Sequence, residues 1–416
     1  MASGSYQLWK QPNFLKLWAS QTLNSFAQIL LSVVVMLEVY RLTESVAGAA
    51  SVFAFMSLSS FVSSLIVSRI IDNYQMKRIM QLVGWLRGIL VIAIGVFLSI
   101  ENTAGLILLF LLLSLYSFVG AWYQPARFAI LPLLIPRDQY IKANGTLVMI
   151  QQLFMVAGWG MGGVLAALVP FPVIIVVIAI AFTISGTLVY LINIVEEDIS
   201  VKKMKNRTPA WKEVWRIPVV RGITIMETFE GVSNAIWTSA LLLAFTTVVL
   251  NAGEEWWGFI NAGYFVGAIL GSIIVTFNGK ILQHKIGVMI GLSGISMGLL
   301  TILLSFTTTP LFAVLLCVLM GPMYQARDIC QVALMQDAIP EDRRAGIMAA
   351  RNAFLTPWNG IMVLVVGFAA DIFSVQTIYL LAGIVYFAAS LIAFKQKSLR
   401  NYEFKDPEEG KVLGGS

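Results

Sequence analysis

The stretch Tyr123-Gln-Pro-Ala-Arg-Phe-Ala-Ile-Leu-Pro-Leu-Leu-Ile-Pro-Arg-Asp-Gln-Tyr-Ile-Lys-Ala-Asn144 ends one apolar segment at three prolines and, after a short polar turn, begins another. A shorter version of it, Tyr324-Gln-Ala-Arg327-Asp328, returns roughly 200 residues later inside a second apolar segment. A repeat of this period within an apolar chain is typical of membrane transporters that are built from two related halves.

The composition places the chain in a membrane. It has 416 residues, of which 58% are hydrophobic and 12% are charged, whereas roughly a quarter of the residues are charged in soluble domains. The net charge of +6 comes largely from short loops, so we interpret it as a determinant of orientation and expect no nucleic-acid binding. With one histidine and no nucleotide-binding motif in the chain, we expect no metal, no cofactor and no enzymatic activity.

Twelve apolar segments are long enough to cross a bilayer as helices, which predicts an all-α membrane protein. The segments are about 14–40, 46–71, 76–99, 104–135, 139–168, 171–195, 217–250, 255–277, 284–307, 310–337, 344–371 and 375–395. The predicted domains are an N-terminal six-helix bundle over 1–195, a cytoplasmic linker over 196–216, a C-terminal six-helix bundle over 217–395 and a cytoplasmic tail over 396–416.

Lysine and arginine placement predicts the orientation. Basic residues are concentrated in alternate loops, in the linker and in the tail, whereas the opposite loops are mostly acidic. Since loops rich in lysine and arginine stay in the cytoplasm, we expect both termini and the linker to be cytoplasmic. The basic part of the linker acts either as a solvated hinge that only sets topology or in regulation and lipid contact.

Three local motifs stand out: Pro-Ala-Arg127, the span-five glycines Gly158, Gly160, Gly162 and Gly163, and the loop Asp72-Asn-Tyr-Gln-Met-Lys77-Arg78. With the segment count, they resemble the major facilitator superfamily over nearly the whole chain, specifically its branch of bacterial macrolide-efflux and enterobactin-exporter-like proteins. The resemblance implies two pseudo-symmetric six-helix bundles and a cytoplasmic gate at the loop after span two. Asn73 stands where the family's gating motif has arginine.

An aspartate at the cytoplasmic end of a helix can face the positive N-terminus of a neighbouring helix or pair with an arginine. Such a contact biases a two-state equilibrium. The candidate gating residues are Asp72, Lys77, Arg78, Arg127, Arg327 and Asp328. We expect the last three to pair with gate-loop acids or with each other, and the alternative for the loop is a basic segment that only sets topology.

The glycines of span five remove side chains along one stretch of helix. Gly158, Gly160, Gly162 and Gly163 let neighbouring helices approach closely and let the helix bend. By resemblance to exporters of the superfamily they indicate export. The alternative is ordinary helix packing.

Span seven carries the most informative polar residues. Glu227, Glu230, Asn234 and Trp237 recur at three- and four-residue spacing, which places them along one helix face. Glu230 lies about 18 Å from the helix start near Pro218, or roughly at mid-membrane. Loss of hydration there favours the neutral form of a carboxylate, so both glutamates are candidate proton sites. The alternative is a pair of carboxylates held in an inter-helix hydrogen-bond network.

Span one carries a second polar stripe, in which Asn24 and Gln28 suit hydrogen bonding either to substrate or to a neighbouring helix. Glu38 is either a proton site near the outer mouth or an interfacial charge, and Arg87 in span three is expected to snorkel or to pair. Some aromatic side chains are expected to line a cavity for bulky apolar or cationic solutes. The candidates are Trp159, Trp237, Tyr116, Trp122, Tyr264, Phe265 and Trp358.

These observations predict a secondary transporter in which two bundles rock about a central site. Because no ATPase domain is present in the sequence, an ion gradient or the substrate gradient must drive it. We expect a monomer, surrounded by membrane lipids, that exports a bulky amphipathic small molecule such as a drug or a siderophore in exchange for protons. The alternatives are a lipid or lysophospholipid flippase of the same fold, an uptake carrier, and a non-transporting membrane receptor or scaffold.

Overall fold

A computed structural model describes residues 8–43, 46–98, 103–194 and 208–404. Helices joined by short turns account for these ranges, and no strand occurs within them. Most of the predicted linker, 196–216, and much of the predicted tail, 396–416, lie outside the described residues.

The α-helices follow one another closely along the chain. They are α1 (Pro12–Thr43), α2 (Val46–Ile70), α3 (Met76–Leu98), α4 (Thr103–Gly120), α5 (Tyr123–Leu134), α6 (Tyr140–Leu168), α7 (Phe171–Tyr190), α8 (Ala210–Arg216), α9 (Pro218–Asn234), α10 (Ser239–Ala244), α11 (Glu254–Phe277), α12 (Gly279–Gln283), α13 (Ile286–Ser305), α14 (Pro310–Ala338), α15 (Arg344–Ile372), α16 (Val375–Lys395) and α17 (Lys397–Arg400). Short 3₁₀ turns precede α1, α3, α6 and α15, and Ala235–Trp237 forms another after α9.

The predicted all-α membrane fold is confirmed. Among the described residues, 10 helical stretches are long and apolar enough to cross a membrane, and the bent pair Pro218–Trp237 and Leu241–Val249 makes up to 11. The remaining predicted segment, 139–168, corresponds to α6, a helix of 29 residues.

Two of the predicted segments contain an irregularity. The first, 104–135, is found as one span, Gly105–Leu134, with a turn between α4 and α5, because Pro125 has no N–H to bond the carbonyl of Ala121. The second, 217–250, bends by 57° after α9. There the side-chain hydroxyl of Thr238 donates to the carbonyl of Ala235 at 3.0 Å. Such a side-chain bond competes with the backbone bonds that would continue the helix.

The structure divides into two compact units. Unit 1 comprises Met1–Ile135, Leu153–Trp211 and Glu341–Ala353, and unit 2 comprises Pro136–Gln152, Lys212–Pro340 and Phe354–Ser416. Each unit therefore combines most of one half of the chain with a short segment of the other half. The division into bundles 1–195 and 217–395 stays a prediction.

Each unit has its own apolar core. In unit 1, α3 packs on α7 and α4, and α1 packs on α7. In unit 2, α11 packs on α14, α13 packs on α16, and α9 packs on α16. Helices α11 and α14 are in close contact, since a Cβ atom on Gly267 would overlap the carbonyl oxygen of Val318. Glycine at this position therefore lets α14 approach α11 backbone to backbone.

Candidate functional site

A buried ion pair lies inside unit 2. The Nη1 atom of Arg327 on α14 is 2.6 Å from Oε2 of Glu230 on α9, and the side chains are 3% and 1% exposed. Neither oxygen of the carboxylate accepts a hydrogen bond from any other described residue. Arg327 is therefore the group that neutralises Glu230 in this state.

Two helices hold α9 in the orientation that aims Glu230 at Arg327. The hydroxyl of Ser233 donates to the carbonyl of Ala382 on α16 at 2.8 Å. The indole N–H of Trp358 on α15 donates to the carbonyl of Thr228 at 2.7 Å. These bonds use carbonyls of α9 and α16 as acceptors and fix α9 against both neighbours.

Aromatic rings hold the guanidinium of Arg327. Its Cζ atom lies 4.8 Å from the ring centre of Tyr324 and 5.1 Å from that of Tyr386, and the hydroxyl of Tyr386 also accepts a hydrogen bond from Nη1. The cation is thus held by one carboxylate and two π faces, which favours a single position for its side chain.

A cavity of about 240 Å³ lies next to this pair, also inside unit 2. It is lined by Asn234, Trp237, Leu242, Ile260, Asn261, Tyr264, Phe265, Met297 and Tyr324. Tyr324 belongs to both features, because its ring lines the cavity and faces Arg327. A change in the position of Arg327 would therefore reach the cavity through one side chain.

Four of the nine residues that line the cavity are aromatic. Trp237 stacks on Tyr264 with ring centres 6.0 Å apart at 23°, and Tyr264 meets Tyr324 edge to face at 6.1 Å. Asn261 donates to the carbonyl of Trp257 at 2.9 Å, and Asn234 supplies a second amide to the lining. Flat apolar faces with a few amides suit an aromatic or amphipathic solute.

A second group of contacts lies at the ends of the helices in unit 1. The N–H of Gly346 donates to Oδ1 of Asp72 at 2.7 Å, and Nη1 of Arg343 lies 3.7 Å from Oδ2 of the same carboxylate. Arg343 also donates to the carbonyl of Thr208 at 2.6 Å. Asp72 thus faces the first turns of α15, where backbone N–H groups point at an anion.

Unit 2 has a comparable cluster. Nδ2 of Asn144 donates to Oε1 of Gln336 at 2.6 Å, and Nε of Arg137 lies 3.3 Å from Oδ1 of Asp337. The hydroxyl of Tyr402 donates to the other oxygen of Asp337 at 2.8 Å. Inside each unit, a carboxylate therefore joins segments that come from opposite halves of the chain.

Comparisons with known proteins agree with this architecture. The family model of the Major Facilitator Superfamily matches residues 14–358. The chain belongs to that superfamily. An "Uncharacterized MFS-type transporter YjbB" of Bacillus subtilis (strain 168) is 38% identical over 391 residues, covering 94% of this chain and 96% of the relative. The "Uncharacterized MFS-type transporter YfmI" of the same organism is 29% identical over 387 residues, covering 91% of this chain and 94% of the relative.

Solved structures of the superfamily share the fold at low identity. A bacterial homologue of the iron transporter ferroportin, in an outward-facing state, has a TM-score of 0.75 at 16% identity, over 93% of this chain and 99% of that one. The E. coli fucose:proton symporter has a TM-score of 0.71 at 12% identity, over 92% and 98%. The superfamily comprises transporters, so this membrane protein is a transporter and not an enzyme.

The candidates of span seven meet in one place. Glu230 forms the buried ion pair, while Asn234 and Trp237 line the cavity. Glu227, half-buried one turn earlier, acts electrostatically on Glu230, as does the half-buried Asp328. Of the aromatic candidates, Trp237, Tyr264 and Phe265 line the cavity.

Two arginines have a main contact that we did not expect. We expected Arg327 to pair with gate-loop acids or with Arg127 or Asp328. Its ion pair is with Glu230, because α9 and α14 pack together in unit 2, and Asp328 also acts on it electrostatically. We expected Arg87 to snorkel or to pair with an acid. Its side chain is 5% exposed, and its contacts are Asn24 and the rings of Tyr116 and Phe182.

The remaining candidates lie outside the unit 2 site. Glu38 pairs with Arg41 at 3.1 Å in one turn of α1, and Gln28 is exposed. Lys77 lies over the ring of Tyr190, Arg78 is exposed, and Arg127 donates to Oε1 of Gln124 at 2.9 Å. The glycines Gly158, Gly160, Gly162 and Gly163 belong to α6, but what surrounds them lies outside the described part of the chain.

Sequence reasoning missed several residues of these sites. Tyr324 begins the repeated phrase Tyr324-Gln-Ala-Arg327-Asp328, and its place near Arg327 in that phrase was a signal. Asp337 and Arg343 flank Pro340, as Arg137 and Asp138 follow Pro136. The repeat therefore also pointed to the contacts at the helix ends. Tyr402 gave no signal, because it lies in a polar tail without periodicity.

Proposed function

We propose that this superfamily member is a proton-coupled exporter of a bulky amphipathic small molecule, such as a drug or a siderophore. In this proposal it is an antiporter of the bacterial cytoplasmic membrane, acts as a monomer, and has both termini in the cytoplasm. The observation that carries the proposal is the Glu230–Arg327 pair beside an aromatic cavity.

The pair supports proton coupling because a buried carboxylate must be neutralised in every state. Glu230 is 1% exposed and has Arg327 as its counter-charge. A proton is the other way to neutralise it, since an ionised carboxylate without a partner is costly inside a membrane. Proton uptake by Glu230 therefore frees Arg327, and loss of the proton restores the ion pair.

The cavity supports the choice of solute. Its walls are the faces of Trp237, Tyr264 and Tyr324, with Asn234 and Asn261 as the polar groups. Because Tyr324 also lies against Arg327, release of Arg327 alters a wall of the cavity. Binding of solute and binding of a proton are then coupled through one tyrosine.

The carboxylates at the helix ends support alternating access. Asp72 bonds Gly346 inside unit 1, and Asp337 pairs with Arg137 inside unit 2. Each contact joins the two halves of the chain, so it must break if the halves move as rocking bundles. These contacts are suited to stabilise one of the two states.

The proposed direction of transport is supported by sequence resemblance and not by a contact in the structure. The glycine-rich motif from Gly158 to Gly163 and the Pro-Ala-Arg127 phrase resemble those of bacterial exporters. In a bacterial cell the proton gradient runs inward, so exchange for protons drives solute outward. The proposed rocker-switch cycle places this exchange at the unit 2 site.

The test is transport in proteoliposomes with an imposed pH gradient, using a panel of fluorescent amphipathic dyes and siderophores. We expect counter-transport of at least one solute, driven by the gradient. Glu230→Gln should lose this response to the gradient, and so should the double variant Glu230→Gln/Arg327→Gln, which leaves no arginine unpaired. Glu38→Gln, which alters a carboxylate paired to Arg41 away from the site, is the matched control and should keep the response.

Two results would overturn the proposal. One is transport that is insensitive to the pH gradient in the unaltered protein. The other is a full response to the gradient in both Glu230 variants. Movement of fluorescent lysophospholipid between leaflets, with no movement of any dye or siderophore, would replace the exporter by a flippase.

A further inference from the structure

Unit 1 contains a buried cation that the proposed exchange does not use. Arg87 on α3 is 5% exposed, and it lies about 16 Å along the helix axis from Met76, near the middle of the span. Its Cζ atom is 4.6 Å from the ring centre of Tyr116 on α4 and 5.5 Å from that of Phe182 on α7. A full positive charge is thus held at mid-membrane depth between two rings.

No carboxylate neutralises Arg87 among the described residues. Arg41, Arg137, Arg327 and Arg343 each have a carboxylate partner, whereas Arg87 has none in the described part of the chain. Its polar contact is Oδ1 of Asn24 on α1, which accepts from Nη1 at a long 3.4 Å. An amide dipole compensates a buried charge only partly, so the positive charge still favours an anion.

Two buried donor atoms at this place have no hydrogen-bond partner in the described structure. They are Nε of Arg87 and Oη of Tyr116, whose ring lies against the guanidinium. Helices α3 and α4 therefore bring a guanidinium N–H and a phenol O–H together, and an oxyanion can accept from both.

The packing holds the guanidinium in this position. A Cβ atom on Gly120 would overlap Nη2 of Arg87, so only glycine at the end of α4 leaves room for the cation. The sequence thus keeps both the charge and the space for it, whereas the cavity of unit 2 lies among different helices. Arg87 is a feature of unit 1 that is independent of the Glu230 pair.

We propose that Arg87 is the central residue of an anion site in unit 1 that binds the carboxylate or phosphate group of an amphipathic solute. Arg87 supplies the charge and Tyr116 supplies a hydroxyl, while Oδ1 of Asn24 accepts from the guanidinium and holds it in place. This proposal rests on the proposed function in one respect: solute reaches the site when alternating access opens it. Binding itself requires no transport.

The experiment compares two fluorescent probes that differ by one charge, dansyl-glycine and its neutral amide, dansyl-glycinamide. Their affinities for the purified full chain in detergent micelles are measured by fluorescence anisotropy. We expect the carboxylate probe to bind at least about tenfold more tightly, as expected for one charge-assisted contact. Arg87→Gln should remove this preference and leave the affinity for the amide probe unchanged.

Two further variants separate a binding role from a purely structural one. Arg87→Lys keeps the charge but loses the planar fork, so it should retain part of the preference. Arg69→Gln, which alters an exposed arginine of unit 1, is the control and should retain all of it. If Arg87→Gln does not yield folded protein, the intermediate preference of Arg87→Lys carries the test.

Equal affinity of the unaltered protein for the two probes would overturn the anion site, and so would a preference that survives in Arg87→Gln. Repeating the titration in nanodiscs identifies the source of the anion. If phosphatidylglycerol competes with the probe and phosphatidylcholine does not, the site binds a lipid headgroup. If phosphatidylglycerol does not compete, the site binds a free solute. If the protein prefers the carboxylate probe but shows no gradient-driven transport, the proposed function is wrong and the anion site stands. If transport responds to the gradient but the protein shows no charge preference, the anion site is wrong and the proposed function stands.

Discussion

Arg327 and Arg87 are buried to nearly the same degree, 3% and 5% exposed, and both lie against aromatic rings. They differ in their counter-charge. Arg327 has the carboxylate of Glu230 at 2.6 Å, whereas Arg87 has the amide of Asn24 at 3.4 Å. A carboxylate therefore neutralises Arg327 inside unit 2, whereas none does so for Arg87 among the described residues of unit 1.

Under the two proposals above, this difference gives the two units different tasks. The pair in unit 2 can change its charge by one when Glu230 takes up a proton, so that unit is suited to coupling. Arg87 has an amide and two rings in place of a carboxylate, so its charge attracts an anion. A unit of the first type responds to a proton gradient, and a unit of the second type selects for the charge of its ligand.

The largest expected effect comes from removing the carboxylate that distinguishes the two arginines. Glu230→Gln leaves Arg327 buried without a counter-charge, so the free energy of unfolding should fall by about 3–5 kcal/mol. Chemical unfolding in mixed micelles measures this change. Glu230→Gln/Arg327→Gln should recover most of the loss, because no buried charge remains.

The control for this prediction is Arg87→Gln, which removes a cation that has no carboxylate partner. It should destabilise less than Glu230→Gln does. Equal losses from Glu230→Gln and from the double variant would show that Glu230 contributes through packing, and the comparison between the two arginines would then lose its basis.

The helix contact that supports Arg327 gives the next largest effect. In Gly267→Ala, the new methyl group would overlap the carbonyl oxygen of Val318, which belongs to the backbone of α14 and cannot rotate away. We expect a loss of about 2–3 kcal/mol, in the upper part of the range for overpacking. Gly258→Ala on the same helix meets no atom within 4 Å and should be neutral or slightly stabilising.

Thermal unfolding in detergent measures both alanine variants, and the dye transport assay reports on the site. Since α11 carries Tyr264 and α14 carries Tyr324 and Arg327, Gly267→Ala should also weaken solute binding in unit 2. It should leave the charge preference of unit 1 unchanged. Loss of both activities would mean that the two arginine sites are not independent.

The spans follow from apolar length, and this part of the structure was predictable from the sequence. The predicted segment 284–307 and the helix Ile286–Ser305 differ by about a turn. The break at Pro125 was visible as a proline, but a long apolar run is compatible with one bent helix or with two. Only the packing of α4 and α5 decides between them.

The site was predictable in part. The position of Glu230 within an apolar run indicated a buried carboxylate, and the spacing of Asn234 and Trp237 placed them on its face. The partner of Glu230 was not predictable, because the choice of Arg327 depends on which faces α9 and α14 present to each other. The absence of an acid beside Arg87 is likewise a property of three packed helices and not of any one segment.

A smaller effect is expected where unit 1 makes room for its cation. Gly120→Ala places a methyl group against Nη2 of Arg87, and the guanidinium, held between Tyr116 and Phe182, must move to avoid it. A side chain moves more easily than a backbone, so the loss should be about 1–2 kcal/mol. Gly360→Ala, which meets no atom within 4 Å, is the control. An unchanged preference for dansyl-glycine in Gly120→Ala would contradict the anion site.

The smallest effect should come from Asn24, and it is the most direct test of what replaces a carboxylate in unit 1. Asn24→Ala removes the amide 3.4 Å from Nη1 of Arg87, and a bond of this length should contribute about 1 kcal/mol to the free energy of unfolding. Gln28→Ala, one turn further along α1 and exposed, should change stability by less than about 0.5 kcal/mol. Since Asn24→Ala leaves Arg87 with less compensation, it should bind dansyl-glycine as tightly as the unaltered protein or more tightly. Weaker binding would instead show that the amide contacts the anion itself.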